Sequence, residues 1–219
     1  MWTSDLTWMM VEGVRDTLLM TLMSTFFGYV IGLPLGIVLA VTDKTGIRPN
    51  AAVYKALDVI ANILRSIPFL ILLILVMPLT RLIVGKTTGS VATIVPLTIA
   101  AAPFIGRMIE SSIKEVDHGV VEAAQSMGAG TFTIIWKVLL VEARTSILVG
   151  VTIAIGTILG YSAMAGVVGG GGLGDIAMRY GYYRYETSIM IVSVVLLVVL
   201  VQIFQTLGMR LSVKLDKRK

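Results

Sequence analysis

Five long runs of this chain carry no charged residue: Thr17–Thr42, Ser66–Thr80, Thr87–Gly106, Thr145–Gly174 and Thr187–Met209. An α-helix needs about 20 predominantly apolar residues to cross a bilayer, and every run meets or approaches that length. The second is short, but Val59–Leu64 extends it backward across Arg65. Only 14% of the residues are charged, against about a quarter in a soluble domain. The expectation is an all-α integral membrane protein with five transmembrane helices. Its membrane domain is read at 17–209, after an outer N-terminal tail at 1–16 and before a basic tail at 210–219.

Several classes fall away on composition. The head of the chain sets Asp5, Glu12 and Asp16 against Arg15. That is the wrong charge for the start of a secretory signal, and the first run is too long for its apolar part, so no cleavable signal is expected. With no cysteine, neither a disulfide framework nor a cysteine metal site can form. The net charge of +5 fits loops lying against anionic lipid better than a nucleic-acid partner. Orientation follows from Lys and Arg. Twelve of them fall in the connection at 43–58, the connection at 107–144 and the tail, against five on the other side. The richer side is expected to be cytoplasmic, with the N-terminus outside and the C-terminus inside.

Gly28, Gly32 and Gly36 are spaced by four on the first helix and share one face. Lipid gives helices no hydrophobic push toward each other, so small residues at this spacing mark close backbone approach. The approach could be within the subunit or between subunits. Pro34 lies in the same run and is expected to bend it. Pro68 breaks the second run, because it lacks an N–H and disfavours helical geometry at Ile67. Irregular backbone at this depth must be buried in protein or line a cavity. The thirty uncharged residues from Thr145 to Gly174 are too many for one helix in an ordinary bilayer. The helix is placed at about 146–166, with a turn-rich outer loop after it. Gly156 and Gly160 form a second expected close-packing pair.

The connection from Arg107 to Arg144 is thirty-eight residues long, and a structureless loop of that length is unlikely in a compact fold. Asp117 can cap a short helix. Val120, Val121, Ala124 and Met127 would then form its apolar stripe, and Gly128 can end it in a left-handed cap. Thr131 can cap the next helix, which runs through Trp136, Leu139 and Leu140 back to the membrane. No catalytic constellation accompanies this hairpin. His118 is the only histidine, so Ser162 has no base. Gly169–Gly174 echoes a phosphate loop, but Asp175 stands where that loop needs lysine. The uncharged runs also hold no carboxylate of the kind ion-coupled carriers use. No enzyme activity, cofactor or metal is expected.

Glu122-Ala123-Ala124, then Gly128, Val138 and Leu140 at family spacing, resembles the signature loop of binding-protein-dependent ABC importer permeases. The family pattern ends in proline where this chain has Val141. Arg65–Phe69, Ala101–Ile105 and Gly160–Gly174 through Tyr182 resemble, more closely, the permease subunits of methionine importers. The resemblance implies a type I importer permease fold with a cytoplasmic coupling-helix hairpin at about 111–144. Glu122, Ala123, Ala124, Gly128 and Leu140 would couple it to a partner ATPase. It further implies a homodimer of permeases in the bacterial cytoplasmic membrane, two ATPase copies below and an extracytoplasmic methionine-binding protein above. The cargo would be methionine, L and also D. Alternatives are another small amino acid or, less favoured, a self-contained carrier. Ser66, Pro68, Tyr161, Ser162 and Met164 are the residues expected near the path.

Overall fold

Helix α1 runs from Ser4 to Thr42, 39 residues, in the computed structural model, which describes residues 4–215. At 1.5 Å per residue it is about 58 Å long, nearly twice the thickness of the hydrocarbon core. The stretch read as an outer tail, 1–16, is thus helical from Ser4 onward and continuous with the first span. Part of the basic tail, 216–219, lies outside the described residues, as do residues 1–3.

The glycine face of α1 seats on α5, Ser90–Lys114. A Cβ at Gly32 would stand 2.7 Å from the Ala102 carbonyl oxygen, and one at Gly36 only 2.4 Å from that of Gly106. The two backbones therefore touch, and the choice left open above is decided: this face packs within the subunit. Ala101, Ala102 and Gly106 supply the matching small face of α5. Pro34 in α1 and Pro96 and Pro103 in α5 lie inside uninterrupted helices.

The second span is broken where Pro68 requires it. α2 covers Ala51–Ser66 and α3 covers Phe69–Leu75, meeting at 103° across an extended Ile67. Asn50 caps α2 by accepting from the Val53 N–H at 3.2 Å. α4, Met77–Val84, follows and ends at Gly85 in the left-handed conformation. α2 is thinly attached, since Ala61 is its one buried residue among those described.

After the hairpin at 118–142, α9 runs from Arg144 to Ala165. The glycine-rich stretch beyond it is not a free loop. A 3-10 turn at Gly166–Val168, α10 at Gly172–Ile176 and a π-turn at Ala177–Tyr182 fold it back onto the bundle. Its glycines allow contacts no side chain could make: a Cβ at Gly166 would lie 2.2 Å from the Gly174 carbonyl carbon. The Gly89 N–H donates to the Gly169 carbonyl and the Leu173 N–H to Thr17 Oγ1, both at 2.9 Å, pinning the stretch to α5 and α1. Gly156 and Gly160 depart from expectation. A Cβ at Gly156 would meet only the Gln205 amide at 3.8 Å, and one at Gly160 nothing within 4 Å, so this pair is not closely packed. α11, Thr187–Leu215, leans on α9 with most of its surface exposed. Four helices, or five with the bent pair as one span, have the length and apolarity to cross a membrane.

This packing predicts a contrast between two glycines. Gly36→Ala forces a methyl against backbone and should cost about 1–3 kcal/mol, seen as a lower thermal unfolding midpoint of the solubilised protein. Gly160→Ala fills open space and should leave the midpoint unchanged or slightly higher.

Candidate functional site

α5 continues past its uncharged run, which ends at Gly106, to Lys114, so the connection from Arg107 begins as an extension of that helix. Asp117 Oδ1 accepts from the Gly119 N–H at 2.7 Å and starts α6, His118–Ser126. The expected apolar stripe divides. Val121 and Ala124 are buried, but Val120 is 42% and Met127 81% exposed. Only the first pair faces the core, where Ile134 and Leu139 of the returning arm also lie. Gly128 closes the helix at φ +77, with its N–H donating to Gln125 O and the Ala129 N–H to Ala124 O. A Cβ there would touch nothing within 4 Å, so conformation alone calls for glycine.

The returning arm is α7, Thr131–Thr133, a π-turn at Ile134–Leu139, and α8, Leu140–Glu142. Thr131 does not cap it. Gly130 holds the cap position without a side-chain bond, and Thr131 is the first helical residue. Phe132 and Trp136 are exposed with ring centroids 5.9 Å apart. With Met127 they give the hairpin an apolar tip that sequence reasoning missed. The signal was available, since three large apolar residues flank Gly128 at positions the core does not use.

Glu122 and Ala123 are exposed, Ala124 is buried, and Leu140 packs half-buried against the core. Glu122 is the fifth residue of α6, just beyond its first turn, and the side-chain cap is made by Asp117. The Glu122 side chain lines a crevice of about 260 Å³ whose opposite wall is Thr45, Gly46 and Ile47 of the α1–α2 turn.

Just above the hairpin, α1, α2 and α5 meet in a charged cluster. Glu110 is 4% exposed. Its carboxylate accepts from Arg107 Nη1 at 2.7 Å, Lys114 Nζ at 2.8 Å and the Tyr54 hydroxyl at 3.2 Å. Arg107 also pairs with Asp58 and donates to Asn62 Oδ1 at 2.9 Å, and Lys114 reaches Asp43 at 2.9 Å. Asp43 accepts the Thr45 N–H at 3.0 Å as well. That backbone donor first, and Lys114 second, hold its carboxyl down at about 2. Arg107 and Lys114 are therefore paired side chains at a helix end, not solvated loop charges. The Arg107, Glu110, Lys114 spacing of three and four was the sequence signal for it.

The residues expected near the path are only partly brought together. Ser66 and Pro68 are exposed at the break, the Ser66 hydroxyl donating to Asn62 O at 2.7 Å. Phe69 stacks on Tyr161 with centroids 4.7 Å apart and planes 4° from parallel, joining α3 to α9. Met164 is 44% exposed. Ser162 faces the other way, 1% exposed, with its hydroxyl donating to Leu159 O at 2.7 Å.

Residues 32–219 match the family described as binding-protein-dependent transport system inner membrane component. A probable D-methionine transport system permease protein MetI of Vibrio cholerae is 50% identical over 210 residues, 96% of this chain and 93% of its own. The D-methionine transport system permease protein MetI of Escherichia coli is 50% identical over 159 residues, 73% of each chain. A solved structure of the MetNI methionine ABC transporter in an inward-facing conformation aligns with a TM-score of 0.97 at 47% identity. It covers 99% of this chain and all of its own. An amino acid ABC transporter aligns at TM-score 0.80 but 20% identity, a likeness of fold alone.

Two outcomes are expected of the hairpin and its base. Gly128→Val places a β-branched residue in the left-handed region, at about 1–2 kcal/mol, and should speed amide hydrogen exchange at 118–130 while sparing α1 and α5. The depressed pKa of Asp43 gives stability that is full above the ordinary aspartate value near ~3.9 and lost as pH falls toward 2. Asp43→Asn should thus lower stability at pH 7 yet flatten its decline between pH 4 and pH 2, followed by thermal unfolding.

Proposed function

The chain belongs to the binding-protein-dependent transport system inner membrane components, and we propose that it is the membrane-spanning subunit of an ATP-driven methionine importer. The observation that carries the substrate is the 50% identity to a probable D-methionine permease across nearly the full length of both chains. The cargo is methionine, in the L form and, by the relatives' names, the D form. The subunit itself is not catalytic; a cytoplasmic ATPase hydrolyses the nucleotide.

The exposed tip of the hairpin supports the partnership. Met127, Phe132 and Trp136 stand exposed on the connection between two candidate spans. Aromatic and methionine side chains are enriched at protein interfaces. Glu122, Ala123 and Gly128 belong to the same protruding unit, with Ala124 and Leu140 tying it to the core. The hairpin, at about 111–144, then lies in the cytoplasm, which agrees with the distribution of Lys and Arg. The N-terminus is outside and the C-terminus inside. Two copies of the chain pair around a central path, two ATPases dock below, and a methionine-binding protein delivers cargo from outside.

ATP-driven closure of the ATPases moves the hairpin as a lever. Inverting an inward- to outward-facing population from 1:99 to 99:1 takes about 5.5 kcal/mol of differential binding, so the lever must be stiff. The Asp117 cap and the Gly128 stop give a short helix with defined ends. Ser66, Pro68 and Met164 line the path in this reading, with Tyr161 behind them; Ser162 reaches it only if α9 turns.

Reconstitution with the cognate ATPase and binding protein should give ATP-dependent uptake of radiolabelled methionine. Uptake by this subunit without an ATPase would sink the proposal. The chain has no native cysteine, so single cysteines report the path. Those at 66, 68 and 164 should react with a polar thiol reagent, and one at 162 only in a nucleotide state that turns α9. If all four positions stay unlabelled in every nucleotide state, they are not on the path.

A further inference from the structure

We infer that Glu110 is a positioning residue, which through Arg107 and Tyr54 makes α2 follow α5 and so carries hairpin movement to the break at Ser66–Pro68. The inference rests on the import reading above and adds the route by which force reaches the path.

α2 has almost no apolar hold on the bundle, with Ala61 its one buried residue among those described. Its polar attachments are all to one place. Tyr54 donates to Glu110, Asp58 pairs with Arg107, and Asn62 accepts from Arg107 at 2.9 Å. These three residues recur at intervals of four and so lie on one face of α2. Four residues after Asn62 comes Ser66, and there the helix breaks. The hairpin has no comparable route to α2. It faces the α1–α2 turn across the open crevice lined by Thr45 and Ile47 on one side and Val121, Glu122 and Gln125 on the other. α5 is instead continuous with the hairpin, reaching Lys114 three residues before the Asp117 cap. A displacement of α6 therefore enters α5, and the cluster around Glu110 passes it to α2.

Glu110 is the hinge of the cluster because it alone accepts from Arg107, Lys114 and Tyr54 together. Removing its charge leaves Arg107 and Lys114 short of one partner each in a partly buried site. Hydrogen bonds to charged groups are the strong ones there. α1 does not depend on it in the same way, since the glycine face already holds α1 to α5.

The test uses the reconstituted complex of permease, ATPase and binding protein, reading methionine taken up per ATP hydrolysed. Glu110→Gln keeps the shape and should assemble and hydrolyse ATP, but should lower uptake per ATP by about tenfold, the loss of one charge-assisted bond. Glu110→Asp should recover part of it. As a second arm, Asp58→Cys with Arg107→Cys removes the α2–α5 ion pair and should uncouple likewise. A short bifunctional thiol reagent joining the two should restore coupling, since these are the only cysteines of the subunit. An assembled Glu110→Gln complex with wild-type uptake per ATP overturns the inference. So does a tether that fails to restore coupling, and this second arm decides alone if Glu110→Gln does not assemble. Absence of ATP-driven methionine uptake by the wild-type complex would instead overturn the import reading itself.

Discussion

In hydrocarbon, an apolar side chain gains little by leaving lipid for protein, so a bundle like this one is held by how closely its backbones can approach. The contact between α1 and α5 is where that is done. Gly28, Gly32 and Gly36 meet Ala101, Ala102, Ile105 and Ile109 with no room for a further methyl. The glycine-rich stretch after α9 is then pinned to both helices through Thr17 and Gly89. α1, α5 and α10 thereby make one stiff body, and the rest of the chain is arranged around it.

Polar groups follow the same logic in reverse. A charge is expensive at membrane depth and must find a partner. The largest cluster of ion pairs among the described residues lies at the hairpin end of the helices, where Glu110 gathers two cations and a hydroxyl. Two of those groups come from the rigid body, and the third from the thinly packed α2. Packing holds the first pair of helices, and ion pairs hold the second.

Much of this was legible in the chain because the responsible residues act locally. Pro68 breaks the second span wherever the helix sits, Asp117 caps the residues just after it, and Gly128 takes a left-handed conformation that most residues avoid. The glycine spacing of α1 announced a close contact, though not its partner, because the matching face of α5 is seventy residues away. What escaped reading was what depends on the third dimension. Gly156 and Gly160 have the same spacing as the α1 glycines but no backbone packed closely against them. The stripe of α6 divides because its returning arm covers only one side of it, leaving Met127 out. Ser162 and Met164 are two residues apart and point in nearly opposite directions around α9, as helical geometry requires.

The division of labour between packing and charge bears on how such a subunit can move at all. A bundle uniformly welded by backbone contact would resist any displacement, and one uniformly loose would dissipate it. Here the weld runs from the hairpin along α5 to α1 and the glycine-rich stretch. The movable part is α2, held by polar bonds around Glu110, whereas α3 beyond the break is packed on the bundle through Phe69, Leu72 and Leu73. Polar bonds between long side chains can tilt without losing contact, whereas a glycine seam cannot. The 103° bend between α2 and α3 sits between those two attachments. Rotation of α2 about the Glu110 cluster would thus be expressed at Ser66 and Pro68 rather than in the core.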